Sequence, residues 1–284
     1  FHIHINWPLT KIEFLKNILE QGAVGMSLFF ILSGYILAHR YSGEVITLRK
    51  YFANRFARIY PIYFVAALVT LPWIGISLGG QSIYDYVKFL AQGIILVASN
   101  IFILQAWFPQ FFGFWNNGGS WSISVEAFCY VIFPFFVPAL LRLSKKYLLI
   151  ATFGFYVLAV LPGLVGTLFP GASFAVYYAM PIFRAPEFLA GTCVLLIARK
   201  FGCNQFTHWH QFAAIVSLFF YFSFFGPVVS NYVGHNWIVV PFLMFMIFSL
   251  ANGKGIFARI MANPLSVWLG KISYCFYSFQ ILVL

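Results

Sequence analysis

The chain has 284 residues, of which 62% are hydrophobic and only 8% charged, and its formal net charge is +11. A soluble domain carries about 25% charged residues, so this chain lacks the polar surface to cover a globule in water and is expected in a membrane. Its apolar runs are long and continuous rather than alternating, which argues against a transmembrane β-barrel.

At about 20 residues per span, the length allows about nine or ten transmembrane helices, so the expected fold is an all-α, polytopic membrane protein. The positive charge would suggest nucleic acid in a soluble protein. In a membrane it marks loops that face anionic headgroups and cytoplasm, to which a site for a phosphate-bearing substrate would add. The four cysteines, Cys129, Cys193, Cys203 and Cys275, show no CxxC spacing and read as small hydrophobes. The chain opens at Phe1 and stops at Leu284 inside an apolar run. Residues 1–284 therefore read as a single transmembrane domain, a fragment with its first and last helices truncated.

In chain order, residues 1–5 read as the end of a first span, and 11–20 as a short interfacial helix. A span over 22–39 leads to a basic connection over 40–58, where Arg40, Arg49, Lys50, Arg55 and Arg58 face the single Glu44. The positive-inside rule makes this connection cytoplasmic. Pro61 suits the first turn of a span over 59–78, where its missing amide costs nothing. An apolar run over 84–107 precedes the aromatic, Gly/Asn-rich stretch 108–119, which reads as a loop able to dip into the membrane and return. Spans follow over 121–141, 148–168, 181–198, 212–229 and 237–251, and from 265 onward. Simple alternation from a cytoplasmic 40–58 puts the basic cluster Arg142, Lys145 and Lys146 outside. Either 84–119 crosses an odd extra time, or those loops are basic on the outer side.

The stretch 118–134 carries the densest chemistry. Ser120 is placed to cap the helix, its hydroxyl accepting from a first-turn amide. Glu126 then lies about 9 Å past the cap, at about 1.5 Å per residue. An ionised carboxylate inside a membrane helix costs about 2 to 3 kcal/mol to insert, so it needs a partner or a task. Ser122, Glu126 and Tyr130 are spaced i, i+4, i+8 and share one stripe. Glu126 reads either as paired to an arginine for structure or as functional. Arg184 and Glu187, three apart, are placed to pair with one another.

His2 and His4 stand at a membrane edge. They read as interfacial histidines, or as a general base able to take a proton from a hydroxyl near neutral pH. An H-x-H pair could also bind metal, but no third ligand is visible, so no metal is assigned. Arg55 and Arg58 lie on one helical face before a membrane entry. They read as a topology signal against lipid phosphates or as a clamp for a phosphorylated substrate. No P-loop and no GxSxG elbow are present.

Five segments together resemble one family. Ser120-Trp121-Ser122-Ile123-Ser124-Val125-Glu126 with Phe128, Tyr130 and Phe133-Pro134 is similar to "SWSLSVEEQFYLLFP". Phe29-Phe30-Ile31-Leu32-Ser33-Gly34-Tyr35 is similar to "FFVLSGF", and Arg55-Phe56-Ala57-Arg58-Ile59-Tyr60-Pro61 to "RRxxRIxP". Arg184-Ala185-Pro186-Glu187-Phe188-Leu189-Ala190-Gly191 resembles "RxPEFLLG", and Lys271-Ile272-Ser273-Tyr274 with Tyr277 resembles "GxISYxLYLxH". The family is the membrane-bound acyltransferases of the acyltransferase 3 type, which O-acylate sugars and other extracytoplasmic acceptors.

The resemblance implies an integral membrane O-acyltransferase of a bacterial inner (plasma) membrane. Its donor substrate would be acyl-CoA, with acetyl the expected group, and its acceptor a carbohydrate or lipid-linked glycan hydroxyl. No permanently bound cofactor and no nucleic-acid partner are implied. Phe1-His2 matches the end of the family's first helix, making His2 the catalytic base with His4 in reserve. Arg55 and Arg58 would engage acyl-CoA, and Glu126 is the signature carboxylate. Ser33, Ser120, Trp121, Ser122, Tyr130, Arg184 and Glu187 would support the site or the substrate. Ala127 replaces the family's usual second acid, and Gln280 stands where the last motif often has His. The competing function is a proton-coupled transporter or flippase using Glu126 and His2 as a relay, for which internal repeats would be expected and none are seen.

Overall fold

A computed structural model describes residues 13–43, 45–169, 171, 173–202, 208–225, 238–251 and 253–279. The positions His2, His4, Glu44, Cys203, His235 and Gln280 lie outside the described residues. Among the described residues every regular element is helical. The principal helices are α1 (Glu13–Glu20), α2 (Val24–Tyr41), α3 (Leu48–Thr70), α4 (Ile83–Ile101), α5 (Asn117–Arg142) and α6 (Lys145–Leu168). They continue as α7 (Phe174–Ala179), α8 (Pro181–Phe201), α9 (His208–Phe220), α10 (Val239–Leu250), α11 (Ile256–Met261) and α12 (Pro264–Ser278). The all-α expectation is met. Among the described residues, five helices are long and apolar enough to cross a membrane: Leu15–Tyr41, Leu48–Trp73, Asn117–Arg142, Lys145–Leu168 and Ala175–Phe201. The nine or ten expected are not confirmed, and α10, at 12 residues, is too short.

The bundle is organised around α8, which packs on α2, α5, α6 and α10 and is buried along nearly its whole length. Close approach is what its small residues provide. A Cβ placed on Gly34 of α2 would stand 1.9 Å from the Phe188 carbonyl oxygen, and one on Gly191 of α8 would stand 1.9 Å from that of Ile31. The two backbones thus touch where each helix carries a glycine, as membrane helices do when packing rather than water exclusion holds them together. The Thr192 hydroxyl ties the same contact through the Gly34 carbonyl at 3.3 Å.

Prolines inside the helices find outside help. Pro134 in α5 has no amide to give to the Tyr130 carbonyl four residues back. The Tyr51 hydroxyl of α3 donates to that carbonyl at 2.9 Å, and both groups are buried. In a membrane such a replacement donor is what makes an interior proline tolerable.

Two expected boundaries are corrected. Helix α3 begins at Leu48, not near 59, so Arg49 and Lys50 lie on its first turn, Arg55 and Arg58 share its face as their spacing implies, and Pro61 is inside the helix. Helix α5 begins at Asn117, and Ser120 is inside its first turn rather than capping it. The Ser120 amide bonds the Asn116 carbonyl at 2.8 Å while its hydroxyl accepts from Gln105 at 3.2 Å. A tertiary partner has taken the role that local spacing assigned to a cap.

The basic clusters resolve into one end of the bundle. Arg40 closes α2, and α3 opens with Arg49 and Lys50. Arg199, at the end of α8, donates to the His39 carbonyl at 3.2 Å and to Ser42. Lys200 donates to the Leu141 and Leu143 carbonyls at the end of α5, and Lys145 sits over the Phe201 ring at 4.8 Å. Arg142, Lys145, Lys146, Arg199 and Lys200 therefore share the end of Arg40, Arg49 and Lys50. Of the two alternatives left open by the sequence, a changed crossing of 84–119 is the one that fits, because of α4. It runs antiparallel to α3 only to mid-depth: Tyr63 donates to the Asn100 carbonyl at 2.9 Å and Tyr60 to that of Ile101 at 3.2 Å. Residues 102–116 then turn back through two 3-10 turns, Gln105–Trp107 and Pro109–Phe111. Trp115 lands against the end of α3, its indole donating to Thr70 at 3.1 Å. The region 84–119 returns to the side it came from.

Candidate functional site

Helix α5 carries the site, and its neighbours close it. Glu126 is 3% exposed, and one of its oxygens, Oε1, accepts from the Tyr130 hydroxyl one turn along and from Ser33 of α2 at 3.3 Å. Glu126 and Tyr130 thus keep the bond their spacing predicts. Ser122, expected on the same stripe, bonds instead to the Tyr277 hydroxyl of α12, which also lies 3.9 Å from the Met26 sulfur. Among the described residues no cation lies within 4.0 Å of Glu126, so the structural pairing with an arginine is not present.

Arg55 is held by ring faces. Its guanidinium lies 5.7 Å from the Tyr41 ring centre and 5.5 Å from that of Tyr130, a distance at which cation–π attraction operates. Its Nε is buried and has no hydrogen-bond partner among the described residues. Arg58, one turn on, is exposed. Tyr274 of α12 donates to the carbonyl of Ile59, the residue after Arg58, at 2.9 Å. One arginine is thus fixed and the other available, on the side of the carboxylate that faces the basic end.

A second cluster sits on the other flank of α5. Arg184 and Glu187 pair at 2.8 Å, as expected, and both are fully buried. Ser27 donates to the same carboxylate oxygen at 3.1 Å, and Arg184 donates to the Tyr178 carbonyl at 2.7 Å. The guanidinium is ringed by Tyr178, Trp121 and Phe30, whose ring centres lie 4.2, 5.6 and 5.9 Å away. Trp121 therefore serves the Arg184 cluster rather than Glu126. A buried pair with this number of contacts is costly to break, because a lone charge would remain.

Of the residues singled out from sequence, the structure gathers Glu126, Tyr130, Ser33, Arg55 and Arg58 in one place, and Arg184, Glu187 and Trp121 in a neighbouring one. Ser122 and Ser120 join different partners, and His2 and His4 are outside the described residues. Tyr41, Tyr51, Ser27 and Gln105 were not foreseen. Their signal is tertiary: nothing in the spacing of Tyr41 or Tyr51 announces that they meet Arg55 and the Tyr130 carbonyl.

A helical membrane bundle with a buried carboxylate held by hydroxyls, beside two arginines on a basic face, is the frame of an intramembrane reaction or relay site. The whole chain, residues 1–284, matches the family described as an acyltransferase domain, and the chain belongs to that family. It is similar to the acyltransferase MdmB of Streptomyces mycarofaciens, with 26% identity over 204 residues, covering 65% of this chain and 49% of that protein. It is also similar to a protein of Acidianus two-tailed virus provisionally named an acetyltransferase, at 24% identity over 94% of this chain and 74% of that one. A Staphylococcus aureus (strain COL) protein provisionally named an O-acetyltransferase matches at 23% identity over 95% of this chain and 47% of its own length. The chain thus spans about half the length of the Streptomyces and staphylococcal relatives. No solved structure matches it.

Proposed function

We propose that the chain is the membrane domain of an O-acyltransferase. It moves an acyl group, acetyl in the simplest case, from acyl-CoA to a hydroxyl of a cell-surface or lipid-linked carbohydrate. The carrying observation is the placement of Glu126, buried and hydroxyl-held, with the Arg55 guanidinium on the ring of the same Tyr130, towards the basic end of the bundle. By the positive-inside rule that end faces the cytoplasm, where acyl-CoA is made.

In this reading Arg58 and Arg55 hold phosphate oxygens of the donor, which suits guanidinium forks better than ammonium groups. The imidazole of His2 takes the proton of the acceptor hydroxyl as its oxygen attacks the thioester carbonyl carbon. The C–O bond forms, the C–S bond breaks, and the CoA sulfur leaves with the proton that the imidazole carried. Glu126 sets the field at this point and anchors Tyr130, whose ring in turn packs on Arg55. The Arg184–Glu187 pair fixes α8 against Trp121 of α5, holding the site's floor.

Replacing His2 with Ala, at matched expression, abolishes thiol release from acetyl-CoA in purified membranes. Release at the wild-type rate would remove His2 from the reaction.

A further inference from the structure

Two buried amide side chains in the returning segment have no task in the reaction as proposed. Gln105 is 2% and Asn116 3% exposed. The Gln105 Nε2 donates to the Ser120 carbonyl at 3.1 Å and hydroxyl at 3.2 Å. Two acceptors on that side require the amide's NH2 end, so its orientation is fixed. Its Oε1 then faces away and has no hydrogen-bond partner among the described residues. Asn116 reaches the Ser278 carbonyl of α12 at 3.5 Å, and its Oδ1 likewise has none among the described residues. Native interiors rarely leave such an oxygen unpaired; a third, Gln211 Oε1, stands alone on α9, whereas these two are joined through Ser120 on the first turn of α5.

Backbone strain falls at the same two places. Among the described residues only Ile103 (φ 56) and Trp115 (φ 50) hold positive φ without being glycine. They stand two positions before Gln105 and one before Asn116. A β-branched isoleucine in that region is an outlier, and strain of this kind persists where surroundings enforce it, often at binding sites. The pair also lies on the correct side. From Asn116 and Ser120, α5 runs past Ser122 with Tyr277, then Glu126, then Tyr130, towards the arginines. Polar groups therefore follow α5 from the returning segment to the carboxylate, opposite the donor's approach.

We propose that Gln105 Oε1 and Asn116 Oδ1 form the acceptor subsite, taking two hydroxyl protons of a neutral polyol such as a pyranoside. This rests on the acyltransferase reading. Both atoms accept and cannot donate, so a hydroxyl-rich ring satisfies them, while a carboxylate or phosphate would be repelled. The acceptor's reactive hydroxyl then points along α5 towards Glu126.

The test separates binding from turnover. The full chain in lipid nanodiscs, without acyl-CoA, is titrated with methyl glucoside, methyl galactoside and methyl mannoside, and binding is read by saturation-transfer NMR. At least one glycoside binds the wild type. Gln105→Met, Gln105→Leu and Asn116→Leu weaken it at least about tenfold, the loss of one hydrogen bond into a buried acceptor. Asn116→Asp, which keeps Oδ1, retains binding and shows that the position tolerates change. No binding by any glycoside, or wild-type affinity in both Gln105→Met and Asn116→Leu, overturns the subsite and assigns the two oxygens to water. Acetyl-CoA is then added: a glycoside that binds but elicits no thiol release from the wild type overturns the acyltransferase reading and leaves the subsite standing.

Discussion

Removing the Tyr130 hydroxyl isolates the contact that holds Glu126. Tyr130→Phe keeps the ring 5.5 Å from the Arg55 guanidinium and deletes only the donor to Oε1. A hydrogen bond to a charged group contributes about 1.5 to 3 kcal/mol, so the loss of kcat/KM for acyl transfer should be about 10- to 150-fold. Ser33 donates to the same oxygen at a longer 3.3 Å, and Ser33→Ala should cost about 1 kcal/mol, roughly fivefold. Because both donors serve one oxygen, the double variant should depart from the product of the two single losses. The assay is thiol release from acetyl-CoA in membranes at matched expression, with KM for acetyl-CoA measured alongside. That KM should stay near wild type, since both arginines remain. A Tyr130→Phe enzyme within twofold of wild type would show that the orientation of Glu126 does not limit the reaction.

Arg58→Ala should raise KM for acyl-CoA about tenfold with little change in kcat, and Arg55→Lys should not behave as a conservative change, because an ammonium loses the planar contact with Tyr41 and Tyr130; a wild-type KM in both variants would remove the clamp. Gly34→Ala and Gly191→Ala each drive a methyl to 1.9 Å from a backbone oxygen and should destabilise the fold by about 1 to 3 kcal/mol, read as a lowered unfolding midpoint in detergent; an unchanged midpoint would mean that α2 and α8 do not touch there. Tyr51→Phe leaves the carbonyl opposite Pro134 without its replacement donor and should cost about 1 to 3 kcal/mol in the same assay; restoring stability by Pro134→Ala in that background would identify the cause.

Much of the site was legible because its signals are local. Glu126 and Tyr130 are four apart on one helix, and Arg184 and Glu187 three apart, so spacing alone brings each pair together. Gly34 and Gly191 sit in the two segments that resembled family motifs, and their meaning is the helix contact they permit. What escaped depends on groups distant in sequence. Ser120 has the residue type and position of a cap, yet Gln105 reaches it from a segment whose path no periodicity reveals. The start of α3 was hidden because Arg49, Lys50, Arg55 and Arg58 look like a loop, although they suit a helix that opens at a membrane surface. The half-depth of α4 was invisible to hydropathy, since an apolar run reads alike whether it crosses or stops at Ile101 and returns. For that reason the side of the Arg142–Lys146 cluster stayed open in the sequence.

The sidedness of donor entry is the most direct probe of the account. Sealed vesicles of opposite orientation, each given acetyl-CoA only on the outside, present either the end bearing Arg49, Arg142 and Arg199 or its opposite. Inside-out vesicles, with the basic end exposed, should release thiol and acetylate a glycan acceptor, and right-side-out vesicles should do neither until permeabilised. Equal rates in the two orientations, or release only from right-side-out vesicles, would contradict donor entry at the arginines.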